Sequence, residues 1–443
     1  MRLTERLRPN DEQSYTRGSA GMLLKIILQS CVTLLLACGP FLACADTDDY
    51  DDARAELVAA YRAEDFGAMK IAARKALAAR PGYPAAKFNL ALAQALSGDA
   101  QAALDTLQEL AASGVDFGVA GMSEFSALTS LPGWADYEAE VRSLNRPTGS
   151  AVVAFQHHAG DFVPEGIAVD GDGRLYLGSI RHGTIVRLGS ETEILSDGSG
   201  HWSVFGMRLD GEGGLWFASA AVPEFAGDTA VTGRTGLFRL DLDSRRIDTR
   251  ALLPDIGEAQ VLGDLVFLDE QTILATESLT GRLYWYGIDS GEFRELVGPG
   301  SLRSMQGLVL DATGDYLYVA DYVGGLFRVR LSDNSVERVE SDNTISLYGI
   351  DGLYRYGEEL IAIQNGIRPH RVVGLTLSEE GLRVTASRVL ASGLEQFDEP
   401  TLGVVRDETF YFVANSHWNR FGRDGNLPDG LTGPVVMKLS LLP

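Results

Sequence analysis

Two hydrophobic periods divide the chain. From about residue 50 to 113, apolar positions recur at i, i+3 and i+4: Leu57, Tyr61 and Phe66, then Ile71, Ala72, Ala76 and Leu77. That spacing lays one apolar stripe along a helix. Pro81, Gly82 and Pro84 interrupt it, and two further helices are expected over Ala85–Leu96 and Ala100–Ala112. Phe125, Leu128, Leu131, Trp134, Tyr137 and Val141 continue the apolar spacing into a closing helical segment. After Pro147 the period falls to that of short strands of Val, Ile, Leu, Tyr and Phe separated by Gly/Asp turns.

The strand region repeats. Glu165-Gly166-Ile167-Ala168-Val169 passes through the turn Asp170–Gly173 to Leu175-Tyr176-Leu177-Gly178-Ser179. The same strand–turn–strand unit returns at Phe205–Ser219, Gly263–Glu277, Gln306–Asp321, Asp351–Asn365 and Thr401–Asn415. The six first-to-last separations are 14, 14, 14, 15, 14 and 14 residues. A third strand follows each unit: Gly183–Leu188, Gly236–Leu240, Gly281–Tyr286, Gly325–Val329, Arg371–Leu375 and Gly433–Leu439. Such units cannot bury their own faces and must stack in a closed ring, so the chain is read as a mainly β, six-bladed β-propeller preceded by a small α-helical segment. Ala151–Phe155 is an extended apolar run suited to close the ring as the outer strand of the last blade. The longest insertion, about Ala220–Arg234 in blade 2, is a candidate lid.

Composition sharpens this picture. The chain has 443 residues, 50 of them Gly, with 61 Asp+Glu against 38 Lys+Arg and a net charge of −23. An acidic chain repels a phosphate backbone and anionic lipid, so nucleic acid is not an expected partner. Cys31, Cys38 and Cys44 all precede residue 45, which leaves the rest without a thiolate metal site, disulfide or cysteine nucleophile. Met22–Ala45 reads as a secretory leader: Lys25, an apolar run over Ile26–Ala37, and small residues at Ala43-Cys44-Ala45. Leu35-Leu36-Ala37-Cys38 also resembles a lipoprotein box, and a retained anchor is a further alternative. The expectation is an exported protein, periplasmic or secreted, touching a membrane only through a lipid anchor. Cleavage after Ala45 would leave 33 basic and 58 acidic residues. The expected divisions are thus a leader over 1–45, a helical segment over 46–147 and a propeller over 148–443.

In an antiparallel hairpin the first residue of one strand and the last of its partner share one end. Glu165, Phe205, Gly263, Gln306, Asp351 and Thr401 are therefore expected to ring one mouth of the central channel. Ser179, Ser219, Glu277, Asp321, Asn365 and Asn415 are expected further out on the same face. Converging carboxylates and amides offer hard oxygen ligands to a cation; each could equally cap a local turn. His370 is a candidate base beside the mouth, and Glu399, Asn365, Asn415 and Trp418 are candidate contacts to a polar ring substrate.

Two resemblances extend the reading. Asp65-Phe66-Gly67-Ala68 and Asp99-Ala100-Gln101-Ala102 stand 34 residues apart, and with Tyr61, Ala68 and Pro81 the helices resemble tetratricopeptide pairs. That implies either a docking groove for a protein partner or an extension packed on the propeller. Pro164-Glu165-Gly166, Gly263-Asp264-Leu265, Gln306-Gly307-Leu308, Asp351-Gly352-Leu353 and Ala320-Asp321 resemble the regucalcin/gluconolactonase family, which belongs with paraoxonase and strictosidine synthase. The resemblance covers about Phe155 to Leu439. It implies a divalent cation, calcium for preference, held by Glu165, Gln306 and Asp351, with Asp351 or Asp264 helping water attack a lactone or ester carbonyl. Gln306 and Gly263 stand where the family pattern has Asn. A propeller that binds a ligand or protein without catalysis is the alternative.

Overall fold

The structure, a computed structural model, describes residues 49–227, 231–422 and 425–442; the leader expected over 1–45 lies outside the described residues. Helices α1 (Asp49–Arg62), α2 (Phe66–Ala79), α3 (Pro84–Leu96) and α4 (Ala100–Ala112) pack as consecutive pairs. A 3-10 helix (Ser123–Ser130) and α5 (Trp134–Leu144) follow them. The two aspartates 34 residues apart are both N-caps. Asp65 accepts from the Ala68 N–H at 2.9 Å, whereas Asp99 pairs instead with Lys70. Pro84 opens α3 at its first position, where its missing N–H removes no helical bond. Leu57, Met69, Phe88, Leu92, Leu104 and Leu107 form the buried stripe of this segment.

Six antiparallel sheets follow, the blades of a propeller. Their inner strands are Pro164–Val169, Ser203–Leu209, Leu262–Asp269, Met305–Leu310, Ile350–Tyr356 and Gly403–Arg406. Each touches its neighbours, and the sixth meets the first, so the ring is closed. Closure comes from Val152–Gln156, which pairs as outer strand with Val435–Ser440 of blade 6, Phe155 opposite Val436. A short strand that the sequence pattern did not announce, Thr148–Gly149, joins the outer edge of blade 5 opposite Ser392 and Ala391.

Apolar alternation places large side chains between blades. Trp216 of blade 2 is 1% exposed and meets Tyr286 of blade 3 at 5.9 Å between rings. Ile361 and Ile363 of blade 5 pack with Phe410 and Phe412 of blade 6. Each such side chain contributes about 1.5–3 kcal/mol of burial, which is what a ring of blades gains over separate sheets.

One irregularity recurs. In the first five blades the ladder between inner and second strand slips by one residue near the channel end: between Pro164 and Ile167, Val204 and Met207, Leu262 and Leu265, Met305 and Leu308, and Ile350 and Leu353. These are β-bulges, which bend a strand and re-aim its side chains. The bulged pairs are Glu165-Gly166, Phe205-Gly206, Gly263-Asp264, Gln306-Gly307 and Asp351-Gly352. The glycines permit close approach between neighbouring inner strands. A Cβ on Gly166 would lie 2.0 Å from the Phe205 carbonyl oxygen, and one on Gly307 would lie 2.4 Å from the Leu353 nitrogen.

Candidate functional site

The bulges turn Glu165, Phe205, Gln306 and Asp351 to one end of the channel. The register brings the second-strand ends to the same face, Ser179 opposite Pro164, Ser219 opposite Val204, Glu277 opposite Leu262, Asp321 opposite Met305 and Gln364 opposite Ile350. These ends hold the linker entering their own blade. Ser179 donates to the Phe162 carbonyl. Ser219 accepts from the Trp202 N–H at 2.9 Å, Glu277 from Val261 at 2.8 Å and Asp321 from Arg303 at 2.6 Å. Gln364 donates to the Ser346 and Tyr348 carbonyls at 2.8 and 3.0 Å. Because Gln364 takes this duty in blade 5, Asn365 lies one residue past the cap, and its Nδ2 donates to Asp351 Oδ2 at 2.5 Å.

Glu165 and Asp351 are 7% and 8% exposed, and they interact. Glu165 accepts from the Trp418 Nε1–H at 2.8 Å. Burial pushes its carboxyl well above the usual range; Asp351 and Glu399 add to this, and the Trp418 bond opposes it. Burial raises Asp351 to about 7 against the Asn365 bond, with Glu399 and Asp264 assisting. Burial raises Glu399 to about 7 as well, although its Oε2 accepts from the Asn419 N–H at 2.8 Å. Tyr322, half-buried with its ring beside Gly366, is held well above its ordinary value, chiefly by desolvation, with Glu399 and Asp351 adding to it. Phe205 stacks on Trp418 at 6.3 Å and 30°. The mouth therefore combines three proton-hungry carboxyls with an aromatic wall.

The loops carrying these groups are strained. Val163, Glu399 and His417 all have left-handed φ of 47°, 62° and 63°. They stand two residues before Glu165, at the third carboxyl, and one before Trp418. Non-glycine residues hold such angles only where their surroundings fix them, and β-branched valine least readily. Around Glu399 the fixing groups are visible. Asp398 bonds His417 Nδ1 at 3.3 Å and Arg420 Nη2 at 2.9 Å, and the resulting charge-assisted contacts hold its carboxyl well below the usual range.

The remaining predicted residues lie as follows. Asp264 occupies the second position of the blade 3 bulge, against Gly206 of blade 2, where the other four bulges have Gly. It pairs with Arg208 Nη2 at 3.1 Å and accepts from the Leu265 N–H at 2.9 Å, deeper in the channel. Burial raises its carboxyl in spite of Arg208. Gln306 is half-buried and donates to Ser304 Oγ at 3.3 Å. His370 follows Asn365 by five residues; burial and Arg368 push it down to about 4. Asn415 is spent within the blade 6 loop, donating to the Gly433 carbonyl at 3.1 Å and accepting from Val435 at 2.7 Å. Asn365, Glu399 and Trp418 thus converge on the Glu165–Asp351 pair, while Asn415 does not. Arg208 and Tyr322 escaped the sequence reading. Tyr322 had a signal: like Asn365, it directly follows the cap of its blade.

Oxygen chemistry decides whether a divalent cation fits here. Among the described residues no group of three or more His, Cys, Asp or Glu side chains is gathered for a metal. Two neutral oxygens join the Glu165–Asp351 pair instead. Asn365 Oδ1 is buried without a hydrogen-bond partner, and the buried Thr401 hydroxyl faces Glu165 and favours its ionised form. An unpaired amide oxygen and a hydroxyl beside two buried carboxyls are the kinds of hard oxygen donor that calcium takes. The residues fit the ion.

With this geometry in view, the family described as "Strictosidine synthase-like, N-terminal" matches residues 155–188, which run from the ring-closing strand through Glu165 to the third strand of blade 1. No curated protein sequence matches the chain. Among solved structures, a calcium-binding regucalcin from Agrobacterium tumefaciens is 13% identical, with a TM-score of 0.46, over 66% of this chain and 93% of its own. The PQQ-bound aldose sugar dehydrogenase from Streptomyces coelicolor is 15% identical, with a TM-score of 0.46, over 66% of this chain and 99% of its own. Virginiamycin B lyase from Staphylococcus aureus is 13% identical, with a TM-score of 0.42, over 66% and 99%. The chain is a six-bladed β-propeller with an N-terminal helical segment.

Proposed function

We propose that the propeller mouth binds a divalent cation, calcium for preference, and hydrolyses a small lactone or ester. The observation that carries this reading is the buried, mutually repelling Glu165–Asp351 pair beside the unpaired Asn365 amide oxygen. Two carboxyls in one low-dielectric site resist ionisation unless a positive charge offsets them.

Glu165, Asp351, Asn365 and Thr401 would hold the ion, which when bound would keep both carboxyls ionised and polarise a carbonyl. Trp418 fixes Glu165 and Asn365 fixes Asp351 through the bonds given above. Asp351 would take a proton from water as the water oxygen attacks the acyl carbon. Glu399, raised to about 7, would return a proton to the departing alkoxide as the C–O bond breaks. Phe205 and Trp418 offer an apolar seat for the ring of a substrate. Asp264, tied to Arg208, adds a further negative charge that opposes ionisation of Asp351 and strengthens its demand for a cation.

A panel of lactones and esters assayed with and without chelator tests the reading. Chelator-sensitive turnover, lost in Asp351→Asn, is expected; turnover indifferent to chelator, or none across the panel, contradicts it. The engagement of Gln306 with Ser304 and of Asp264 with Arg208 favours the second reading, a ligand-binding propeller without catalysis. In that case the same mouth would bind ligand and turn nothing over. We also propose export of the folded part, which cell fractionation checks.

A further inference from the structure

The mouth residue Asn365 opens a loop that the helical segment grips. Ile367, two residues on, is 6% exposed and lies within the hydrophobic core of the helices, a propeller side chain in that cluster. The Asp116 N–H donates to the Arg368 carbonyl at 2.8 Å. Arg371 closes the loop: its Nη1 donates to the Gly114 carbonyl at 3.0 Å and its Nε to Gln364 Oε1 at 2.7 Å. Among the described residues it forms no ion pair, so this buried guanidinium rests on neutral oxygens from both parts of the chain. Gly114 is shaped to receive it, since a Cβ there would lie 2.2 Å from Nη1. A second contact flanks the first, where the Tyr348 hydroxyl donates to the Pro81 carbonyl at 2.6 Å and the ring meets Tyr83 at 5.3 Å.

From these contacts we infer that the helical segment is a positioning element of the mouth. Through Ile367, Arg368 and Arg371 it fixes the loop that aims Asn365 at Asp351. Gly366 leaves no slack in that loop: its Cβ position is 2.5 Å from the Gly349 Cα and 2.7 Å from the Tyr322 ring. A shift of Ile367 must therefore move Asn365 or break its contacts, because packed interiors transmit displacement. The positional claim stands on the contacts themselves; its consequence for cation binding rests on the function proposed above.

The test uses the full chain, with three variants for hydrogen exchange and Asn365→Ala, alone and combined with Ile367→Ala, for the titration. Gly114→Ala displaces Arg371 from the helical side, Ile367→Ala loosens the loop from within, and Ile367→Val is the gentle control should Ile367→Ala fail to fold. Hydrogen exchange read by mass spectrometry needs no ligand. Both main variants should speed exchange at least tenfold in residues 365–371 and in the start of the inner strand, Ile350–Leu353, while Ser203–Leu209 on the opposite side of the ring keeps its rate. Acceleration confined to the helices, or spread equally over all six inner strands, overturns the proposal. Calcium titration adds an arm that separates the two claims. Weakened binding in Ile367→Ala, with no further loss when Asn365→Ala is added, supports action through Asn365, whereas full additivity contradicts it. Absence of calcium binding in the parent protein removes the cation reading and leaves the exchange result to decide the positional claim.

Discussion

At the scale of single residues, the mouth is set by which carboxyls lose water and what they gain instead. Asp351 and Glu399 are both raised to about 7 by burial, which fixes a sign. A carboxyl whose folded pKa exceeds its unfolded value binds more protons when folded, so its contribution to stability is fully present below about pH 4 and is lost as pH climbs towards 7. In metal-free protein, Asp351→Asn should therefore be more stable than the parent at pH 7.5, by on the order of 3 kcal/mol, with the gap closing near pH 4. Urea midpoints at the two pH values measure it; a gap that does not depend on pH contradicts the assignment. The sequence made Glu165 and Asp351 legible because each opens a strand whose interior is apolar. It hid the division of labour between Gln364 and Asn365, because the capping residue is defined by its ladder partner Ile350 and not by its distance from Asp351.

At the scale of elements, the bulge is what converts a strand end into a site. Counting 14 or 15 residues between unit ends located every hairpin, since turn glycines and apolar alternation are local signals. The bulge was not legible, because an extra residue on one strand is visible only against its partner. The X-Gly pairs were its trace, and blade 3, with Gly263-Asp264, shows the consequence of inverting them: the acid moves to the inter-strand position and pairs with Arg208. Gly307→Ala should be costly, since a Cβ would fall 2.4 Å from the Leu353 nitrogen and 2.7 Å from the Asp351 carbonyl oxygen, both backbone atoms of the neighbouring inner strand. A loss of about 2–4 kcal/mol in chemical denaturation is expected, with weakened calcium binding beyond that loss. Unchanged stability would show that the inner strands can slide apart, contrary to the close ring described. The helix pairs were legible from their period and from Asp65 and Asp99. Their grip on Ile367 was not, because nothing in a β-patterned loop marks one isoleucine as belonging to another core.

At the scale of the whole molecule, two patterns that look separate in sequence share a core. Ile367, Arg371 and Tyr348 tie helices to blades 4 and 5, and Val152–Gln156 ties the start of the strand region to its end. Calorimetry on the full chain should therefore show helices and propeller unfolding in one transition, with circular dichroism bands for helix and strand lost together; a helical transition well below the main one contradicts this. The net charge of −23 acquires a local meaning here, because Glu165 and Asp351 at the mouth are withdrawn from water, with Glu399 half-buried beside them, while most of the other carboxyls remain solvated. The most direct measurement is a calcium titration of metal-free protein by calorimetry at pH 7.5, in the parent, Glu165→Gln and Asp351→Asn. One site per chain, with proton release on binding and at least a hundredfold loss of affinity in either variant, is the predicted result. No heat in the parent, or binding that survives both substitutions, would contradict the account.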